Sequence, residues 1–316
     1  MKENVSPLIC IPLKSAGIGN CMFQYAAARA CAISNGGQVR IDISDMLDRQ
    51  MPFKESYSIE ERIGFLNSSL GVFKLKLTLA SEELAYALRG WGTPNLFGKS
   101  VRKVRKIAGL LPKSYYAESN SFAFDPSVMA MRHDVYLDGL FINPKYFHSI
   151  EKDLREDFSF NVPLAGENEE LAHEIESCNS VSIHVRMGDY TSTSVGDNYP
   201  GYGRGYYERA MKLVEAKIDG PRYYIFSDNP EWVRSRLSLL DNCTIVSHNA
   251  IEKGYEDLRL MSLCKHNIIT NSTFSWWGAW LNKNSAKIVV TPRKWFSGLD
   301  NSDLLLDGWC VLDANG

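Results

Sequence analysis

Three short runs gather the residue types that hold anions and move protons. They are His184-Val185-Arg186-Met187-Gly188-Asp189-Tyr190, Phe226-Ser227-Asp228-Asn229, and Thr270-Asn271-Ser272-Thr273-Phe274-Ser275-Trp276-Trp277. Each follows directly on a short apolar stretch. An arginine at the end of such a stretch, with the small Gly188 close behind, can approach an anion and grip two of its oxygens with one planar fork. A turn-stabilising bridge from Arg186 to Asp189 is the plainer reading, and Arg186 alone does not separate the two. His184, two residues earlier on the same strand face, favours the anion site. In the third run, Ser272 or Thr273 could simply cap a helix. The unbonded N–H groups at that helix start also make an anion site, and three hydrogen-bonding residues exceed what a cap needs. Trp276, Trp277 and Trp280 follow at helical spacing and read as core.

A fourth run, Gly17-Ile18-Gly19-Asn20, has the form of a dinucleotide fingerprint cut short, with Met22 where the third glycine would stand. Asp42, ending the next strand, mimics a ribose-binding acid. A nicotinamide-dependent oxidoreductase is therefore a rival reading. Against it, the richest polar cluster lies in the second half of the chain, where such an enzyme does not require one.

The elements that must position these residues follow from apolar patterning. Leu8 to Leu13 reads as a buried strand, Asn20 to Ser34 as an alanine-rich helix ended by Gly36-Gly37, and Gln38 to Ile43 as a second strand. Residues 52–133 yield no strand. Asp134 to Phe141 reads as a strand, Asn143 to Asp157 as a helix, and Pro163 to Asn168 as a linker. Beyond it strands are expected at 180–186, 222–227, 243–247, 267–270 and 287–291. Helices are expected between them at 205–218, 230–240, 255–264 and 273–282. This alternation predicts an α/β protein with parallel sheets. Ligands of such sheets collect at the carboxyl ends of the strands, and the three polar runs stand at three of those ends.

The 316 residues carry a formal charge of −2, and the composition is that of a globular protein of two domains. Near-neutral charge argues against nucleic acid as a partner. The seven cysteines form no CxxC pair and no metal-ligand spacing with histidine, which fits a reducing compartment. Neither a signal-peptide core nor an apolar run near the ~20 residues of a membrane span is visible, so a cytoplasmic protein is expected. Lys99 to Lys113 alternates basic and apolar residues. It could rest peripherally on the anionic inner face of a membrane, or be a solvated helix face.

Together these motifs resemble glycosyltransferase family 11, the bacterial α-1,2-fucosyltransferases. The likeness runs through Gly17-Ile18-Gly19-Asn20-Cys21-Met22-Phe23-Gln24-Tyr25-Ala26, Leu137-Asp138-Gly139-Leu140-Phe141, HVRMGDY from His184, YYIFSDN from Tyr223, and the block from Asp257 to Asn282. The resemblance implies a GT-B-like fold, two Rossmann-like domains facing across a cleft. Residues 1–160 would form the acceptor side, 161–295 the GDP-fucose domain, and 296–316 a tail packing back on the first domain. It implies fucose transfer with inversion from GDP-β-L-fucose to the 2-hydroxyl of a galactose-containing oligosaccharide or glycolipid, with no metal and no other cofactor. Arg186 would hold the pyrophosphate. His184, Asp228, Asn271, Ser272, Thr273 and Phe274 would line the donor site together with Gly17 and Gly19. Asn20 would stand near the fucosyl group and acceptor, so that Arg186, Asp189 and Asn20 form the catalytic set. Asp189, His184 and Asp42 are the candidates for the base. A non-catalytic glycan- or nucleotide-binding protein is the other alternative. Two positions depart from the family: Cys21 replaces its usual glutamine and Leu140 its usual aromatic. Both fall in the half expected to meet the acceptor.

Overall fold

The computed structural model describes residues 6–14, 17–44, 66, 69–75, 77–90, 111–187, 202–236, 242–296 and 298–313. The chain divides into two compact units, Met1–Asn161 and Val162–Gly316. Asp189 and most of the basic segment Lys99 to Lys113 lie outside the described residues.

Among the described residues, the first unit holds a four-stranded parallel sheet in the order β2-β1-β4-β3. Its strands are β1 (Leu8–Pro12), β2 (Gln38–Asp42), β3 (Tyr115–Ala117) and β4 (Val135–Asp138). Helix α1 (Ile18–Asn35) joins β1 to β2 and is buried along most of its length, as its alanines allow. The glycine pair that ends it serves two separate purposes. Gly36 takes the left-handed conformation, φ 62°, that closes the helix. At Gly37 an added Cβ would lie 2.5 Å from the Pro7 carbonyl oxygen, so the chain could not pass β1 as closely.

Helix α2 (Glu82–Arg89) and β3 fall in the stretch where the sequence yields no strand. The cap signals of α2 are nonetheless complete: Ser81 accepts from the Leu84 amide, two glutamates open the helix, and Gly90 closes it at φ 70°. A short helix, α3 (Pro126–Met129), precedes β4. The strand expected to reach Phe141 stops at Asp138, because Phe141 adopts φ 52° and leaves extended geometry. The helix expected from Asn143 begins only at Glu151 as α4 (Glu151–Asp157). Two 3-10 turns precede it, Pro144–Tyr146 and His148–Ile150, and the Asn143 side chain caps the first through the Lys145 amide at 2.9 Å.

Among the described residues, the second unit holds six parallel strands in the order β10-β9-β8-β5-β6-β7. They are β5 (Ser180–Val185), β6 (Arg222–Ser227), β7 (Cys243–Val246), β8 (His266–Ile268), β9 (Val289–Pro292) and β10 (Cys310–Leu312). The helices are α5 (Glu167–Ser177), α6 (Arg204–Glu215), α7 (Pro230–Arg236), α8 (Gly254–Leu263) and α9 (Thr273–Leu281). Counted from its own first strand, this is the doubly wound order 3-2-1-4-5-6, whose topological switch point lies between β5 and β8. Two sequence expectations change here. The expected linker overlaps α5, which starts at Glu167 after Gly166 at φ 58°. The stretch expected as a tail, 296–316, contains β10, which pairs in parallel with β9 from Cys310 to Leu312 and so belongs to the second sheet.

β5 is buried on both faces. Val181, Ile183 and Val185 pack with Tyr206, Ala210 and Val214 of α6. Ser180, Ser182 and His184 alternate to the other side. There Ser182 accepts from the Asn267 side chain at 2.8 Å, and Asn267 accepts in turn from Asn282 at 2.8 Å. This satisfied polar chain locks β8 against β5 and the end of α9, and so fixes the switch point. Among the described residues no helix is long and apolar enough to cross a membrane.

Candidate active site

At the carboxyl edge of the second sheet the three polar runs meet, because β6, β5 and β8 are consecutive neighbours. Arg186 follows the last residue of β5 and is half-buried. The next amide, that of Met187, donates to Asp228 Oδ1 at 2.8 Å, so the end of β6 braces the backbone that carries Arg186. His184 is buried, 5.4 Å ring to ring from Phe274, with its Nδ1 3.4 Å from the Thr270 hydroxyl. After β8 the chain turns sharply, Ser272 N to Thr270 O at 2.8 Å, and enters α9. Ser272 occupies the cap position, yet its hydroxyl does not cap, and no acidic residue stands in the first turn. Arg186 and the start of α9 thus bring a cationic residue and a positive helix end to one switch point, an arrangement able to receive a phosphate.

One of the expected donor-binding residues, Asn271, also braces the edge. The Asn271 amide donates to the Trp295 carbonyl at 3.0 Å, drawing the segment after β9 into the edge. Tyr206 of α6 donates to the Ile269 carbonyl at 2.5 Å and holds the approach to Thr270 from beneath the sheet. Thr273 and Phe274 are half-buried at the opening of α9.

Burial, and secondarily the nearby Arg186 charge, pushes the His184 pKa down to about 3. The ring is therefore neutral at working pH, able to share a hydrogen bond but a poor proton acceptor, which removes it from the candidate bases. The same shift sets a stability signature. Below about pH 6.5 the unfolded chain binds a proton that the folded chain refuses until about pH 3. Stability conferred by the neutral ring should fall by ~1.4 kcal/mol per pH unit across that window. Denaturant titrations of wild type and His184→Asn at pH 7, 6, 5 and 4 should differ in slope by that amount. Parallel slopes would place the imidazole in solvent.

Asp42 is also removed. It is 3% exposed, and its carboxylate accepts from Arg89 at 2.5 Å, Tyr136 at 2.7 Å and the Ser44 amide at 2.9 Å. Arg89 lies over the Tyr136 ring, 4.2 Å from its centroid. Every oxygen is engaged inside the unit, so Asp42 neither binds a ribose nor takes a proton from a substrate. In the same unit Gly17 is the cap residue of α1, and its carbonyl accepts from the Asn20 and Cys21 amides at 3.1 and 3.3 Å. Gly19 and Asn20 lie in the first turn of α1, Asn20 half-buried. Cys21 is fully buried.

The sequence reading did not single out three features of the strand ends. Gln24, wholly buried, donates to the Pro12 carbonyl at 2.6 Å and the Gly139 carbonyl at 2.7 Å, tying the ends of β1 and β4 together. Glu118 follows β3, and Asp138 ends β4 in an ion pair with Lys14. After β7, Asn168, His248, Asn249 and Asp257 form one hydrogen-bonded cluster, in which burial pushes the Asp257 carboxyl up to about 6. An isolated acid or amide after a strand is a signal, but without the pairing of strands nothing tells which of them meet.

Residues 108–312 match the family model described as Glycosyl transferase family 11, which spans well over half of the chain. The O-antigen biosynthesis glycosyltransferase WbnK of Escherichia coli is 29% identical, over 94% of this chain and 98% of its own. An alpha-1,2-colitosyltransferase of Escherichia coli is 29% identical, over 91% and 92%. Among solved structures, the NodZ alpha-1,6-fucosyltransferase of Bradyrhizobium, co-crystallized with GDP, aligns with a TM-score of 0.50 at 13% identity. That alignment covers 86% of this chain and 91% of the other, and it is a likeness of fold. The parallel α/β units are of the GT-B class expected from the sequence.

Proposed function

The chain belongs to glycosyl transferase family 11, and from that premise we propose that it moves L-fucose from GDP-β-L-fucose to the 2-hydroxyl of a terminal galactoside, inverting to an α-1,2 linkage. The observation that carries the reading is the meeting of Arg186, His184 and the Ser272-Thr273 helix start at one switch point. In the reaction the bond from fucose C1 to the phosphate oxygen breaks and the bond to the acceptor oxygen forms. The acceptor proton leaves to a base, and GDP departs with the added negative charge. Arg186 and the α9 amides neutralise that charge as it grows. Neutral His184 leaves the guanidinium as the cation that meets the pyrophosphate. Of the three carboxylate and imidazole candidates for the base, Asp189 is the one retained. Asn20 belongs to the acceptor side of this reading, and Gly17 and Gly19 let α1 begin close to a ligand.

The relative that transfers colitose favours a second donor, since colitose is the 3-deoxy analogue of fucose. Incubation with GDP-fucose and with GDP-colitose, each with a panel of galactosides, followed by linkage mapping of the products, decides between the two. An α-1,2-fucosyl galactoside supports the first, and consumption of GDP-colitose alone supports the second. Binding of GDP with neither donor consumed would leave only nucleotide-sugar binding.

The same assay carries a metal test. An arginine fork and helix amides neutralise the leaving pyrophosphate in this mechanism, a role that other enzymes give to a divalent ion. Turnover should persist in excess EDTA. Loss of activity with EDTA, restored by Mg²⁺ or Mn²⁺, would refute this account of leaving-group stabilisation.

A further inference from the structure

We propose that Leu140 is the side chain of the first unit that selects the acceptor sugar, and that Glu118 is the positioning residue that presents it. The inference rests on the transfer reading above and adds the residue that discriminates among acceptors. In the sheet order β2-β1-β4-β3 the connection from β1 leads to one side and β4 lies on the other, so the switch point of this unit lies between β1 and β4. The segment Gly139-Leu140-Phe141 leaves β4 at that point, and Gln24 fastens the Gly139 carbonyl and the Pro12 carbonyl to one amide group.

This turn is held against its own preference. Phe141 is the one non-glycine residue with positive φ, 52°, among the described residues. Such a conformation persists only where its surroundings over-determine it, and it marks positions where shape serves function. The Glu118 carboxylate supplies the constraint, accepting from the Leu140 amide at 2.7 Å, the Phe141 amide at 3.0 Å and the Ser121 hydroxyl at 3.0 Å. Gly139 gives the carboxylate its room: an added Cβ would lie 2.5 Å from Glu118 Cβ and 2.6 Å from Glu118 Oε2.

The outcome is a sorting of three neighbouring residues. Gly139 is buried, and Phe141 is fully buried between Tyr116 and Tyr146, at 6.2 and 5.4 Å between ring centroids. Leu140 alone stays half-buried at the edge. Two residues earlier, Asp138 pairs with Lys14 and so joins the ends of β1 and β4. A pyranose offers hydroxyls on its rim and an apolar C–H face, and an apolar side chain and an ion pair at the same strand end can complement both.

The experiment uses the full chain, two galactosides that differ in the sugar beside galactose, and two readouts. The first is steady-state transfer from GDP-fucose. Leu140→Tyr should change the ratio of kcat/KM between the two galactosides by about tenfold or more, the size of a changed apolar contact. The KM for GDP-fucose should stay within about twofold. Glu118→Ala should raise the acceptor KM by about tenfold with the donor KM unchanged, and Glu118→Gln, which keeps one acceptor oxygen, should recover part of the loss. A merely structural role would move both KM values or neither.

The second readout is galactoside binding by saturation-transfer NMR, which needs no turnover. Altered galactoside affinity in Leu140→Tyr and Leu140→Ala supports the inference even if no GDP-fucose is consumed, and then only the transfer reading fails. An unchanged acceptor ratio and unchanged galactoside binding in both Leu140 variants overturn it, whether or not GDP-fucose is consumed. Leu140→Ala keeps this decisive should Glu118→Ala not fold.

Discussion

Arg186→Lys is expected to lower kcat by roughly 10²–10³, the loss seen when one oxyanion-type donor is removed. Lysine keeps the charge and loses the fork. A point charge on a flexible stem holds one phosphate oxygen at a time, whereas the guanidinium holds two in fixed directions. The contact strengthens as negative charge accumulates on the departing phosphate, so kcat should suffer more than the KM for the donor. Arg186→Ala should lose at least as much. Both variants should melt near the wild-type temperature, because Arg186 lies past the last buried residue of β5 and its backbone is braced through Met187 and Asp228. Near-normal turnover in Arg186→Lys, with another arginine proving essential, would make Arg186 a structural residue and displace the pyrophosphate assignment.

The second large effect is one of stability. Arg89 and Asp42 are 5% and 3% exposed and 2.5 Å apart. Removing one charge strands the other in the interior, at a cost of ~3–5 kcal/mol. Arg89→Met should therefore lower the melting temperature by about 10 °C, taking roughly 2–4 °C per kcal/mol for a unit of this size. The double variant Arg89→Met/Asp42→Leu should regain much of that loss, since neither charge is then left alone. If Arg89→Met melted like wild type, the Asp42 carboxylate would be free to serve a ligand, and its removal from the site would be wrong.

Asp42 shows where the sequence misleads. A glycine turn followed by an acid at the end of the second strand is the pattern of a ribose site. The pattern holds no information on Arg89, 47 residues away, which consumes the acid. Ser81, Glu82, Glu83 and Gly90, by contrast, spell the start and stop of α2 in local terms, and β3 nearby lacks such spelling because three residues carry no period. The strand within 296–316 escaped the sequence for a related reason. A three-residue strand such as β10 is set by its partner β9 and not by its own composition.

What the chain determines by itself is whatever rests on near neighbours: strands from apolar runs, helix ends from Gly36 and Gly90, and three polar runs placed just past strand ends. Those suffice for the α/β class and for the family, because motifs are local and linear. Only the tertiary structure decides which strand ends are adjacent. The order β10-β9-β8-β5-β6-β7 brings Arg186, Asp228 and Ser272 to one edge, and burial, not residue type, makes His184 neutral and Asp42 unavailable. The Glu118 clamp on Leu140 and Phe141 is of the same kind. It joins residues 22 and 23 positions apart through backbone amides that no sequence pattern records. Ionisation and strain depend on what surrounds a group, and packing alone supplies those surroundings.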